Sequence, residues 1–373
     1  MFDWLLHKAE YILPFLVVLT ILVFVHELGH YWIARRKGVK VEVFSIGFGP
    51  ELFGWTAKSG TRWKVSALPL GGYVKMYGDM DATSRPDDEK FAAMTPEQRA
   101  VAFPMKPLAA RAWIVAGGPL ANFLFAFLLL IGLFLFEGQT RTPALITGVV
   151  EGSAAETAGL QVGDRIVSVN GEAIERFEEL QRFIQLNLER PIELLVERDG
   201  QTLPIAAQPR IVEIEDPSGC PMRIARLGIA AEGQELVEFG PLEAVGVAAS
   251  ETWGIARDTL AGIWQIVTGE RSTDELGGPV RIAELSGTVA KFGLVSMIWF
   301  IAVISVNLGL INLFPVPVLD GGHLLFYAIE GVRGRPLGER AQEYGFKIGI
   351  ALVLSLMIFA TINDLVRIGS CAA

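Results

Sequence analysis

Four stretches of this chain are apolar over lengths that approach the thickness of a lipid bilayer, and they restrict its fold more than any other feature. They run from about Tyr11 to Ala34, Ala112 to Phe136, Phe292 to Leu319 and Ile348 to Asn363. A helix needs about 20 mostly apolar residues to cross roughly 30 Å of hydrocarbon. The second and third stretches hold no charged residue, and the fourth reaches the required length with its flanks. With 51% hydrophobic residues and a mean hydropathy of +0.41, the chain reads as several membrane spans joined to polar domains.

Basic residues orient these spans. "ARRKGVK" follows the first, "MKPLAAR" precedes the second and "RGRPLGER" lies between the third and fourth, so these flanks are expected in the cytoplasm. Both termini and the segment from about Glu137 to Lys291 then lie outside it. The N-terminus lacks a basic n-region and a small-residue cleavage site, so the first stretch is expected to be retained as a helix. A net charge of −9 with no basic stripe argues against a nucleic-acid partner. Cys220 and Cys371 form no disulfide or zinc-knuckle pattern and read as incidental.

The first stretch contains "TILVFVHELGHYWIA", residues 20–34. On a helix His26 and His30 share one face, and Glu27, offset by one residue, can point at whatever the histidines hold. Zn²⁺ takes two imidazoles, a third protein ligand completes a catalytic site, and a neighbouring carboxylate can take a proton from an activated water. Only four histidines exist, His7, His26, His30 and His323, so the third ligand comes from a small pool or from an acid. The candidate text is "NLGLINLFPVPVLDGGHLL", residues 307–325, where Asp320 follows an apolar run broken by Pro315 and Pro317. An acid within a membrane is costly and by default functional. Asp320 and His323 are both open as the third ligand on spacing alone. His7 reads as an interfacial residue, and Trp32, Trp55, Trp63 and Trp113 as belts at the membrane boundaries.

Between the first two spans, residues 37–80 alternate β-branched and aromatic residues with Gly and Pro. They are too apolar for a solvated loop, so β-hairpins dipping into the membrane beside the first helix are expected, with an edge that can pair with an extended peptide. Residues 81–110 are polar and read as a cytoplasmic surface segment. After the second span, "AGLQVGDRIVSVNG" leads through an amphipathic helix, "FEELQRFIQL", to a strand, "IELLVERDG". This text, about residues 143–232, resembles a PDZ domain of the bacterial type, which binds a peptide by strand addition or acts as a size-excluding plug. Residues 238–290 read as amphipathic and extracytoplasmic. The membrane helices are assigned to 1–36, 111–137, 292–319 and 342–367.

"HELGH", "GGPLANF" (residues 117–123), the inserted domain and "NLFPVPVLDGGH" (residues 312–323) together resemble the site-2 protease family of intramembrane metalloproteases, in particular its regulator-of-sigma-E protease branch. The resemblance covers nearly the whole chain. It implies an α-helical membrane protein of four transmembrane helices, with membrane-associated β-hairpins and an inserted α+β PDZ domain. It implies zinc held by His26, His30 and Asp320, favouring Asp320 over His323, and Glu27 as catalytic base. Asn312, Pro315 and Pro317 would shape the site and hold the substrate strand. His323 and Asn122 are expected behind the ligands, and Gly117 and Gly118 are expected to let helices pack closely. The implied substrates are single-span membrane proteins, among them anti-sigma factors already cut by a first protease, and remnant signal peptides. The implied setting is a bacterial inner membrane, with the PDZ domain and both termini periplasmic and the active site toward the cytoplasm. One departure stands out, because known members of the branch carry two tandem PDZ modules and this chain has room for one. A non-catalytic scaffold with structural zinc is the main rival reading; a metal transporter is disfavoured by the scarcity of intramembrane acids and of repeated halves.

Overall fold

The computed structural model describes residues 2–79, 94–215, 221–273 and 276–371, with side chains described from Glu10 to Ile368 outside the gaps and Pro221. Two compact units are present, one of residues 1–131, 248–256 and 274–364, the other of residues 132–247, 257–273 and 365–373. Among the described residues, four helices are long and apolar enough to cross a membrane. They are α1 (Phe2–Arg36), α3 (Leu108–Phe136), α8 (Leu294–Asn312) and α10 (Glu339–Cys371).

In the first unit α1 is followed by β1 (Val41–Thr56) and β2 (Arg62–Met76), then by a short α2 (Pro96–Val101) started by a Thr95–Gln98 capping box. A single long hairpin stands where several were expected, and it curls on itself. Residues 43–46 of β1 pair with 72–75 on one side and with 62–65 on the other, while 53–56 pair with 62–65. The result has four short rows, 53–56, 62–65, 43–46 and 72–75 in spatial order. Gly47 and Gly49 adopt φ of 87° and 86° at the bend, where a Cβ on Gly47 would stand 2.7 Å from Leu68 O. Such backbone suits glycine and bends the strand. At the far end of the hairpin Leu52, Phe53, Leu68 and Leu70 are exposed.

At the near end Phe44 is buried, stacked on Trp63 at 4.2 Å and set edge-on to Tyr31 of α1 at 5.7 Å. Trp63 thus packs within the hairpin, whereas Trp32, Trp55 and Trp113 are exposed. A buried cluster of Ala34, Val39, Val41, Met76, Phe103, Ile114, Val115 and Tyr327 ties hairpin, α1 and α3 to α9 (Asp320–Arg333).

The third apolar stretch is not one helix to Leu319. α8 ends at Asn312 and α9 begins at Asp320, with a turn between. Pro315 and Pro317 lack the N–H that a helix needs and disfavour helical backbone before them. Before α8, α7 (Pro279–Lys291) lies against α1, where a Cβ on Gly287 would meet Tyr11 at 2.4 Å. Residues 81–93 of the expected surface segment at 81–110 lie outside those described, and so do Cys220 and the last two residues. The side chains of His7 and Cys371 are likewise outside.

The second unit contains β3 (Gln139–Arg141), β4 (Gly148–Val149), α4 (Ala154–Ala158), β5 (Arg165–Val169), β6 (Glu172–Ala173), α5 (Phe177–Asn187), β7 (Ile192–Arg198) and β8 (Gln201–Ala207). β9 (Arg210–Glu215), β10 (Pro221–Arg226), β11 (Ile229–Ala230) and β12 (Glu235–Val237) follow. Strands β6, β5, β7 and β8 form one antiparallel sheet in that order, and β4 pairs with β11. Alternation on β7 buries Ile192, Leu194 and Val196 against Leu180 and Ile184 of α5. The "AGLQVGD" turn has Gly159 and Gly163 in left-handed backbone, φ 80° and 98°, and ends in a bidentate pair between the buried Asp164 and the partly exposed Arg198. Arg198 Nε and Nη2 donate to Asp164 Oδ1 and Oδ2 at 2.6 and 2.7 Å. α6 (Pro241–Val267) completes the order, its Asp258 paired with Arg182 of α5 at 3.3 Å.

Candidate metal centre

Helices α1 and α3 meet where each presents a glycine. A Cβ on Gly29 would stand 2.1 Å from Gly117 O, and one on Gly117 would stand 2.8 Å from Gly29 O. Small residues permit this backbone-to-backbone approach. One residue further along α3, Gly118 faces the imidazoles, for its Cβ would lie 2.3 Å from His30 Nε2 and 2.7 Å from His26 Nε2. The glycines therefore do more than pack helices, since Gly118 leaves the space in which two histidine nitrogens sit.

Asp320 arrives from the other end of the chain. Its Oδ2 lies 3.1 Å from His26 Nε2 and 3.5 Å from His30 Nε2. The two Nε2 atoms are 3.2 Å apart, and all three side chains are largely buried, at 12–16% exposure. Donors held about 2.0–2.1 Å from a tetrahedral zinc stand roughly 3.3 Å from one another, a value that these separations bracket. Asp320 Oδ2 is also buried without a well-directed hydrogen bond among the described residues. Two imidazole nitrogens and one carboxylate oxygen, converging on a point and leaving a fourth position open, fit a catalytic zinc.

The turn before Asp320 is tightly constrained. A Cβ on Gly321 would stand 2.3 Å from Leu313 O and Phe314 O, and one on Gly322 would stand 2.4 Å from Val316 O. Val318 has φ 120°, a conformation that a β-branched residue adopts only when its surroundings impose it. Gly349 of α10 meets this turn directly, for a Cβ there would overlap Pro317 O at 1.6 Å. α9 is tied to the start of α3 by Arg111, whose Nη2 donates to Glu330 Oε1 at 2.5 Å while its guanidinium lies 4.9 Å from the Tyr327 ring.

Glu27 lies within electrostatic range of His26, His30 and Asp320. The hairpin row 72–75 comes up beside it, and a Cβ on Gly72 would stand 3.3 Å from Glu27 Cγ. His30 Nδ1 donates to Ile114 O at 2.9 Å, which leaves Nε2 of the neutral ring with its lone pair toward the cluster. Asn122 Nδ2 is 3.3 Å from His26 Nδ1.

The structure thus brings His26, His30, Asp320, Glu27 and Asn122 together. His323 is not in the ligand cluster, and its ring lies 5.4 Å from that of Phe346. Asn312 uses one amide N–H on Leu308 O of its own helix at 3.0 Å. Pro315 is exposed and Pro317 is packed under α10. Sequence reasoning missed Ile114, which acts through its carbonyl and carries no side-chain signal, and it missed the Arg111–Glu330 tie.

The sequence model of Peptidase family M50 matches residues 14–356. A protein of Rhizobium meliloti named as a zinc metalloprotease is 46% identical over 366 residues, covering 97% of this chain and 98% of the relative. Metalloprotease MmpA of Caulobacter vibrioides is 38% identical, covering 94% of each. Protease RseP of Yersinia pestis is 33% identical over 453 aligned positions, covering 95% of this chain and 98% of the relative. That alignment is longer than this chain's 373 residues, so RseP of Yersinia pestis has residues with no counterpart here.

Proposed function

The chain belongs to peptidase family M50 and is a zinc metalloprotease, and on that premise we propose that it cuts single-span membrane proteins within the bilayer. The observation that carries this reading is the convergence of His26, His30 and Asp320, with ligand atoms within 4.8 Å of one another, beside Glu27 and among long apolar helices. His26, His30 and Asp320 hold the zinc. When bound, the ion polarises a peptide carbonyl and lowers the pKa of water toward neutrality. Glu27 accepts a proton from the attacking water and delivers it to the nitrogen of the leaving strand.

Peptide bonds in a transmembrane helix are shielded by their own hydrogen bonds and by the lack of water. A substrate must therefore unwind before it can be cut. The hairpin, residues 44–74, supplies an edge for the unwound strand, a reading supported by the position of Gly72 beside Glu27 and by the apolar far end at Leu52 and Phe53. Asn312, Pro315 and Pro317 shape the opposite wall and help to hold the strand.

Residues 143–232 act as a PDZ module that admits substrates already trimmed by a first protease. Support comes from the "AGLQVGDRIVSVNG" text laid out as a left-handed glycine turn entering β5, and from α5 packed on an antiparallel sheet. Anti-sigma factors and remnant signal peptides are the substrate class, the bacterial inner membrane is the setting, and the zinc site opens toward the cytoplasmic side. The test is cleavage of a tagged single-span protein in membranes, presented with a folded ectodomain and with that ectodomain removed. Preferential cleavage of the trimmed form is expected; equal cleavage of both would remove the size filter, and cleavage of neither would count against the protease reading.

A further inference from the structure

We propose that Asn122 is a positioning residue whose side-chain oxygen holds His26 with its proton on Nδ1, so that Nε2 faces the metal as a lone pair. The inference rests on the zinc-protease reading above. Asn122 is completely buried, and its backbone carbonyl accepts a hydrogen bond from Ser305 Oγ of α8 at 2.9 Å, which fixes the residue from outside its own helix. Its amide is in contact with the ring, Nδ2 standing 3.3 Å from His26 Nδ1. Its other end, Oδ1, is buried and has no hydrogen-bond partner among the described residues.

With the nitrogen end toward the ring, a hydrogen bond requires a lone pair on Nδ1 and hence a proton on Nε2. A neutral imidazole protonated at Nε2 has no lone pair there for a metal. Rotating the amide by half a turn exchanges two ends of nearly the same size and shape. Oδ1 then accepts from Nδ1–H, and Nε2 is freed. One amide end is unmatched in either orientation, so rotation adds no unmatched group.

His30 already has this arrangement, with Nδ1 donating to Ile114 O at 2.9 Å. Ile114 and Asn122 lie about two turns apart on α3. One helix therefore supplies an acceptor behind each histidine and, between them, Gly118 in front of both. Metal-ligating histidines need such acceptors, and losing one typically costs 10–100-fold in metal affinity.

The experiment is zinc competition against a chromophoric chelator with the full-length protein in detergent, comparing wild type, Asn122→Asp and Asn122→Leu, together with the visible spectrum of each after Co²⁺ loading. A carboxylate offers only acceptors, so Asn122→Asp is expected to bind zinc within a few-fold of wild type with an unchanged Co²⁺ spectrum. Asn122→Leu, similar in size but without an acceptor, is expected to lose about 10–100-fold. Equal affinity of wild type and Asn122→Leu would overturn the proposal. So would a loss in Asn122→Asp as large as that expected of Asn122→Leu, a comparison that stands even if the leucine variant fails to fold. A wild type that binds no zinc would instead overturn the zinc-protease reading on which the proposal rests.

Discussion

Asp364 of α10 accepts a hydrogen bond from the backbone N–H of Gly278 at the start of α7, Oδ1 to N 3.0 Å. Its Oδ2 accepts from Val280 and Arg281 at 3.1 and 3.0 Å. A helix leaves its first N–H groups without partners in its own backbone, and here a buried acid from another helix supplies the acceptors. The carboxylate thus joins the fourth long helix to a helix that packs on the first.

Removing that cap is expected to loosen α7. Asp364→Ala should cost at least the upper part of the roughly 0.5–2 kcal/mol range of helix caps, because three donors lose their acceptor. Asp364→Asn, which keeps one acceptor oxygen, should cost less. Hydrogen exchange over residues 278–284 reads this directly, and unchanged protection in Asp364→Ala would contradict it.

At Gly118 a methyl group is expected to displace the ligands. Gly118→Ala places a carbon on His30 Nε2 and His26 Nε2, so the purified variant should carry little zinc. Gly132→Ala on the same helix meets nothing within 4 Å and should keep wild-type zinc content. Stoichiometric zinc in Gly118→Ala would show that the helices separate without cost.

The Asp164–Arg198 pair should make the inserted domain sensitive to acid. Hydrogen bonds from Arg198 are the main cause holding the Asp164 carboxyl below the usual carboxylate range. Its folded pKa is thus depressed relative to the unfolded chain. The resulting stability is fully present above about pH 4, the ordinary aspartate range, and is lost as pH falls through the folded value. Arg198→Met should lower the domain's melting temperature at pH 7 and flatten its dependence on acid. A variant as stable as wild type at pH 7 would show that the pair contributes nothing.

Zinc removal should destabilise the first unit. A ligand that binds only the folded state at about 1,000 times its Kd stabilises by about 4 kcal/mol, and the three proposed donors come from α1 and α9, elements far apart in the chain. Chelation is expected to lower the unit's melting temperature, and zinc to restore it. A melting temperature indifferent to chelator would place the ion outside the fold.

Much of the metal centre is legible in the text because helix geometry converts spacing into direction. His26, Glu27 and His30 are neighbours on one turn, and four residues suffice to predict a shared face. Asp320 is nearly 300 residues away, and its approach depends on a turn whose glycines fit under carbonyl oxygens, so the residues alone left it open against His323 and the family resemblance decided between them. Ile114 acts through its backbone and leaves no trace in residue identity. The end of α8 at Asn312 was written in Pro315 and Pro317, but a run without a charged residue masked it, since hydropathy registers lipid compatibility and not helix continuity. Trp63 shows the same ambiguity, because an indole suits a membrane boundary and an aromatic stack equally well. The curl of the hairpin, in which residues 43–46 pair on both sides, needs a register that alternation alone does not specify.

The protease reading is tested most directly by following cleavage of a trimmed single-span protein in membranes by wild type, Glu27→Gln and Asp320→Asn, with zinc measured in each purified protein. Cleavage by wild type, loss of cleavage in Glu27→Gln with zinc retained, and loss of both in Asp320→Asn are the predicted results. Robust cleavage by Glu27→Gln, or full zinc in Asp320→Asn, would contradict the roles given to these residues.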